Sequence, residues 1–267
     1  MDEKEMAALT GRGLTYSSYL KVPDLLNLQS PIARPAAHDE MLFIVVHQTY
    51  ELWFKQIIFE LEALVAHLQR DDLLTSFRLL DRVSEIFRVL VQQVDILETM
   101  TPVEFNRFRS NLQPASGFQS VQFRELELLA GADPADYDKF SKLEPEWKSK
   151  LAARTSKSSL RKAFLDLLAR RGLISQSSPS DVTSAISKIY ESPIGSGLQT
   201  LCEQLIRFDE QISLWRFRHV QMVERMIGMK PGTGGSLGVA YLRGTLKRRF
   251  FPELWEARTG MGGGPGY

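Results

Sequence analysis

The chain has 267 residues, 43% apolar and 24% charged, the balance of an ordinary globular protein with room for one large domain. A formal net charge of +1 gives no broad attraction for nucleic acid or for a membrane surface. The lone cysteine, Cys202, excludes an intrachain disulfide, a CxxC redox pair and a CxxCH haem attachment.

The opening stretch, MDEKEMAALTGRG, is acidic and lacks the apolar core of a signal peptide, so a cytoplasmic setting is expected. From His38 to about Arg70, apolar residues recur at steps of three and four: Phe43, Val46, Tyr50, Trp53, Ile57, Leu61, Leu64 and Leu68. That period predicts a long amphipathic helix. Its longest apolar run, Met41 to Val46, is far too short to span a bilayer. Asp71 and Asp72 can cap a second helix that runs to about Met100. Thr101, Pro102 and Glu104 form a capping box with proline at the first helical position, so a short helix follows to about Leu112. Pro114 to Gly117 reads as a turn, after which FQSVQFRELELLAG restarts a helix.

Between about residues 132 and 193 the chain becomes rich in Lys, Ser, Asp and Pro, with weaker helical stretches at Leu160–Arg171 and Val182–Glu191. We read this as a helical insertion within a single domain spanning 1–267. The last long helix, about Leu198 to Ile227, carries the cleanest stripe: Leu198, Leu201, Leu205, Phe208, Ile212, Trp215, His219, Met222 and Met226. No strand alternation appears. The expected fold is an all-α bundle of long helices.

Two histidines sit on these apolar faces. For His219 the commoner reading is a core histidine bonded to a carbonyl; the alternative is a metal ligand. A zinc site needs three or four ligands, and no HExxH or second nearby histidine exists. A haem needs one axial imidazole and large apolar neighbours, so haem iron is the favoured metal. His47, flanked by Phe43, Tyr50, Glu51 and Phe54, is the second candidate, again beside a purely structural reading. The loop MKPGTGGSLG is neither a Walker A motif nor GxGxxG, and a helix connection is its simplest reading. Thr233 within it could meet a ligand's carboxylate or ammonium. Arg109 is a surface arginine by default and a bidentate carboxylate clamp by chemistry. The run LKRRF (Leu246 to Phe250) reads as a solvated face, and no nucleic-acid partner is expected.

Six stretches together resemble the tryptophan 2,3-dioxygenase family: LTYSSYL, HDEMLFIVVHQTYELWFKQ, LETMTPVEFNRFR with PASGFQSVQFR, LWRFRH, GTGGSLG and FFPELWEART. They occur in the family's order over most of the chain, outside 132–193. The resemblance implies a helical, homotetrameric haem enzyme that adds both atoms of O2 across the indole C2–C3 bond of L-tryptophan to give N-formylkynurenine. It implies non-covalent haem b, with His219 as the axial iron ligand and His47 as the distal histidine that accepts the indole N–H. Phe43 then resembles the apolar wall beside the indole, Arg109 the carboxylate clamp and Thr233 the loop contact to the head group. Tyr16, Tyr19 and Leu20 resemble a segment that completes a neighbouring subunit's pocket.

Two positions depart from the common pattern. Phe105 stands where some members carry a tyrosine that reaches the substrate carboxylate. Leu237 replaces a small polar residue in the loop. These are where a changed outcome would arise, such as a superfamily haem monooxygenase adding one oxygen to tryptophan or a methylated tryptophan. A haem-binding bundle without turnover is a third reading, against which the pairing of His47 with Arg109 counts.

Overall fold

The structure is a computed structural model, and it describes residues 13–137, 145–175, 178–191, 196–232 and 238–261. Among these, every regular element is helical. Thr233, Leu237 and the acidic first residues, on which expectations were placed above, lie outside the described residues.

Two short helices come first, α1 (Tyr16–Leu20) and α2 (Val22–Leu26). The frame is made by α3 (His38–Gln69), α4 (Leu73–Leu97) and α10 (Gly197–Ile227). At 32 and 31 residues, α3 and α10 are each roughly 45 Å long. Between α4 and α10 come α5 (Pro102–Arg109), α6 (Val121–Ala130), α7 (Pro145–Thr155), α8 (Leu160–Arg170) and α9 (Pro179–Glu191). After α10, α11 (Val239–Thr245) and α12 (Pro252–Gly260) complete the set.

Local chemistry fixes the helix starts. Asp72 caps α4 by accepting from the Thr75 N–H, and Thr101 and Glu104 close the expected capping box on α5. Ser120, Ser159 and Ser196 accept from the backbone three residues on, at the heads of α6, α8 and α10. The second helix stops at Leu97 rather than near Met100, because Thr101 is committed to the next cap. The short helix is α-helical only to Arg109 and tightens into a 3₁₀ turn, Ser110–Leu112.

The stripe on α10 packs as its period requires, with Leu201, Leu205, Phe208, Ile212, Trp215, Met222 and Met226 buried. On α3 one position is corrected. Trp53, placed on the stripe, is 36% exposed, and Phe54 fills the core instead at 4%. Over 32 residues a 3.6-residue period drifts across a fixed stripe, and the step from Tyr50 falls on the fourth residue, not the third.

α4 lies between the other two long helices and packs along both α3 and α10. α6, α8 and α5 cover α3, while α12 packs on α9. Residues of α8 and α9 such as Phe164 and Ile186 belong to the same buried cluster as Leu61 and Phe208. No helix among the described residues is long and apolar enough to cross a membrane.

Candidate functional site

With α4 holding α3 and α10 on either side, a cavity of about 270 Å³ opens between them and is closed by α5, α6 and α11. Its walls carry His47, Phe43 and Tyr50 from α3, Phe105 and Arg109 from α5, and His219 from α10. Five of the residues singled out from the sequence therefore meet in one space: His47, Phe43, Phe105, Arg109 and His219. Tyr16, Tyr19 and Leu20 do not. They lie on α1, which buries no residue, and Tyr16 is 78% exposed.

His47 is accessible through the cavity yet set deep in the protein. Its Nδ1 lies 2.7 Å from the Phe43 main-chain oxygen. Its proton affinity is lowered, first by burial, against smaller opposing contributions from the Phe43 carbonyl and the Glu51 carboxylate. The ring centroid of Phe43 lies 4.0 Å from that of His47. Phe105 extends this wall at 5.8 Å from Phe43, and Phe108 is buried behind it at 5.6 Å from Phe43. The result is an aromatic wall beside one imidazole.

His219 faces the same cavity from α10. Burial, aided by the charges of His47 and Arg124, takes its pKa down to about 4, so the ring is neutral at pH 7. Trp215, one turn earlier, stacks on it with centroids 5.3 Å apart and planes 3° from parallel.

Arg109 ends α5 at the cavity edge, where its Nη2 donates to the Pro231 carbonyl at 2.7 Å. Gly238 marks the return of that loop, with φ +59°, and a Cβ there would stand 2.8 Å from the Lys230 oxygen. The ends of the loop are thus pinched together beside Arg109, a closeness that requires glycine.

One charged cluster escaped the sequence reading. Arg124 and Arg216 each donate to a different oxygen of Glu127, both at 2.6 Å, and all three are buried while lining the cavity. Two guanidinium groups share that one carboxylate. No sequence signal marks it: Arg124 and Glu127, three residues apart, read as a solvent-facing pair, and only the burial of α6 nearly all round takes that solvent away.

These residues fit a haem. A neutral imidazole presents itself to a mainly apolar cavity, as one axial ligand requires. Among the described residues there is no cluster of three or more His, Cys, Asp or Glu side chains of the kind that holds a bare ion. The Nε of Arg216 is buried without a hydrogen-bond partner among the described residues. Two guanidinium groups against one carboxylate leave the Arg124–Glu127–Arg216 group one net positive charge in the wall, suited to the carboxylates a haem carries.

The chain is also similar to known proteins along most of its length. The family described as Tryptophan 2,3-dioxygenase matches residues 2–178 and 154–261. A protein of Nocardioides sp. named tryptophan 2,3-dioxygenase is 48% identical over 93% of this chain and 95% of its own length. Relatives of the same name from Herpetosiphon aurantiacus and Xanthomonas campestris pv. campestris are 46% and 42% identical, over 94% and 95% of this chain and 99% and 89% of their own.

Proposed function

The chain belongs to the tryptophan 2,3-dioxygenase family, and on that premise we propose that it is a haem-dependent oxidoreductase that adds both atoms of O2 to L-tryptophan. The indole C2–C3 bond breaks, each of its carbons takes one oxygen, and the product is N-formylkynurenine. The observation that carries the reading is the convergence of His219 and His47, from two separate long helices, on one apolar cavity with Arg109 at its edge.

The haem, when bound, supplies the chemistry that activates O2. His219 would hold its iron, and Arg124 and Arg216 would meet its carboxylates. The family resemblance makes the cofactor haem b, and non-covalent binding is supported by the one cysteine, Cys202, being buried with its thiol pKa pushed up to about 12. The remaining work is recognition and exclusion of water. His47 accepts the indole N–H through Nε2. Phe43 and Phe105, stacked on each other, form the apolar wall beside the indole and keep water from it. Arg109 has donors to spare beyond the one given to Pro231, and these take the substrate carboxylate as a fork. Thr233, in the loop that Arg109 tethers, meets the head group. Together these contacts sort for an α-amino acid at one end and an indole at the other.

The chain works as one haem-binding unit, with 132–193 an excursion inside it, and assembles as a homotetramer. α1 supports this: Tyr16, Tyr19 and Leu20 are exposed at 78%, 70% and 44%, and such a face is covered when the segment closes a neighbouring subunit's pocket.

The deciding experiment is turnover of L-tryptophan under ¹⁸O₂ with mass spectrometry of the product. Two labelled oxygen atoms are expected. One labelled atom would move the chain to monooxygenation, and failure of the purified, haem-supplied protein to develop a Soret band would remove the haem reading altogether.

A further inference from the structure

A histidine that binds a metal is ordinarily oriented by a hydrogen bond from its other ring nitrogen, and that partner tunes affinity by about 10–100-fold. His219 makes no such bond to any described side chain or carbonyl, yet its plane is well defined by another contact. Trp215 lies one turn earlier on α10, its indole 5.3 Å from the imidazole and only 3° from parallel. Rotation of the imidazole about its Cβ–Cγ bond, a broad and soft torsion on its own, drives one ring edge into that indole.

Trp215 is itself immobilised. It is 8% exposed. Phe123 of α6 stands 4.8 Å away at 43°, Phe54 of α3 5.9 Å away at 88°, and Tyr50 6.1 Å away at 69°. Tyr50 is anchored in turn, its hydroxyl donating to the Leu90 carbonyl of α4 at 3.0 Å. The rigid part of the bundle, made of α3, α4 and α6, is thereby connected to the plane of one imidazole through a single indole.

We propose that Trp215 is a positioning residue for the axial ligand: its indole face sets and holds the plane of His219. This rests on the reading of His219 as the haem-iron ligand. The role differs from plain core filling, which any apolar residue of similar volume would supply.

The test uses the full-length holoprotein and three variants. Trp215→Met stays apolar but is smaller and has no planar face, Trp215→Phe is also smaller but keeps a face, and Phe87→Leu makes a lesion in the core against Phe208, away from the cavity. Resonance Raman of the ferrous protein reads the iron–histidine stretch, and transfer of haem to excess apomyoglobin reads its loss. Trp215→Met is expected to shift and broaden the iron–histidine band and to speed haem loss about tenfold. Trp215→Phe should stay near the parent, and Phe87→Leu should lower the melting temperature while leaving band and loss rate alone. An unchanged band in Trp215→Met, with haem loss no faster than in Phe87→Leu, overturns the proposal. Should Trp215→Met not fold, Phe123→Leu, which removes the ring behind the indole, must shift the band in the same direction, and an unmoved band there overturns it equally. Absence of any iron–histidine band in the parent, or its survival in His219→Ala, would instead overturn the ligand assignment on which this rests.

Discussion

The Nδ1 of His47 lies 2.7 Å from the carbonyl oxygen of Phe43, one turn earlier on the same helix. A carbonyl only accepts, so Nδ1 carries the proton and the neutral ring keeps its lone pair on Nε2. The helix backbone therefore selects the tautomer that can receive an N–H from a ligand. A buried hydrogen bond of this kind is worth about 1–3 kcal/mol. Replacing His47 with Ala should lower kcat/KM for L-tryptophan by roughly 5–150-fold, since each 1.4 kcal/mol is tenfold. The same substitution should change kcat/KM much less for 1-methyl-L-tryptophan, which has no indole N–H to give. Equal losses on both substrates would show that His47 does not receive that proton.

The same ring sets an acid limit. Burial lowers its pKa below the usual 6.5, so it stays neutral through pH 7 and charges only at more acidic pH. A protonated ring has no lone pair and cannot accept. The pH profile of kcat/KM should be flat from neutrality down past pH 6.5 and then fall, and in His47→Ala this limb should vanish. A limb centred above 6.5 that vanishes in His47→Ala would contradict the burial argument.

Arg109 is only half-buried and already donates to Pro231, so its contribution to a substrate is smaller than that of a sealed ion pair. The lower part of the ~2–5 kcal/mol range for losing a hydrogen-bonded charge partner applies. Arg109→Ala should raise KM for L-tryptophan by about 30-fold or more. It should also erase the preference for L-tryptophan over tryptamine, which lacks the carboxylate. A variant that still discriminates between the two would place the carboxylate elsewhere.

Much of this was legible in the sequence, and the pattern of what was not has a physical cause. The three long helices follow from unbroken three-and-four spacing and from caps such as Asp72 and the Thr101–Glu104 pair, which are local chemistry. α7 buries only Leu151 and Arg154, and α11 and α12 are 7 and 9 residues long, so none carries an extended apolar period for spacing to announce. His219 and His47 could be suspected, because an imidazole on an apolar stripe is conspicuous. Their meeting could not, since 172 positions separate them in the sequence and only the packing of α4 between α3 and α10 brings their faces to one cavity. The Arg124–Glu127–Arg216 cluster was hidden for the opposite reason: charged residues on a helix are read as solvent-facing until tertiary structure removes the solvent.

Asp209 shows how the end of the chain is attached to the helix that carries His219. It is fully buried and accepts from the Phe250 and Phe251 N–H groups at 3.1 and 3.4 Å and from the Trp255 indole at 2.9 Å. Asp209→Ala strands these donors and should cost about 3 kcal/mol or more in urea unfolding, with Asp209→Asn costing less. Burial raises the pKa of this carboxyl despite its donors. A raised carboxyl pKa means the native state holds the proton more tightly than the unfolded chain. Its contribution is present below the unfolded value and is lost as pH rises through the folded one, the reverse of a salt-bridged acid. The difference in stability between parent and Asp209→Asn should therefore shift in favour of Asn as pH rises through the folded pKa. A difference that stays constant would show that burial is not what governs this group.

The Arg124–Glu127–Arg216 cluster makes a separate claim about the cofactor's polar end. Removing Arg216 leaves Glu127 paired with Arg124, so Arg216→Met does not strand a bare buried carboxylate, whereas Glu127→Gln would set two guanidinium groups against each other. Arg216→Met is for that reason the informative change. The parent should bind haem more tightly than haem dimethyl ester, whose carboxylates are masked, because only the free acid answers the positive wall. In Arg216→Met that preference should shrink by about tenfold, as expected for a charge-assisted contact worth roughly 1.5 kcal/mol. Binding is read by Soret titration of the apoprotein, with circular dichroism to show that the helices are retained. If parent and variant discriminate between the two porphyrins to the same degree, the cluster braces α6 against α10 and has no part in holding the cofactor.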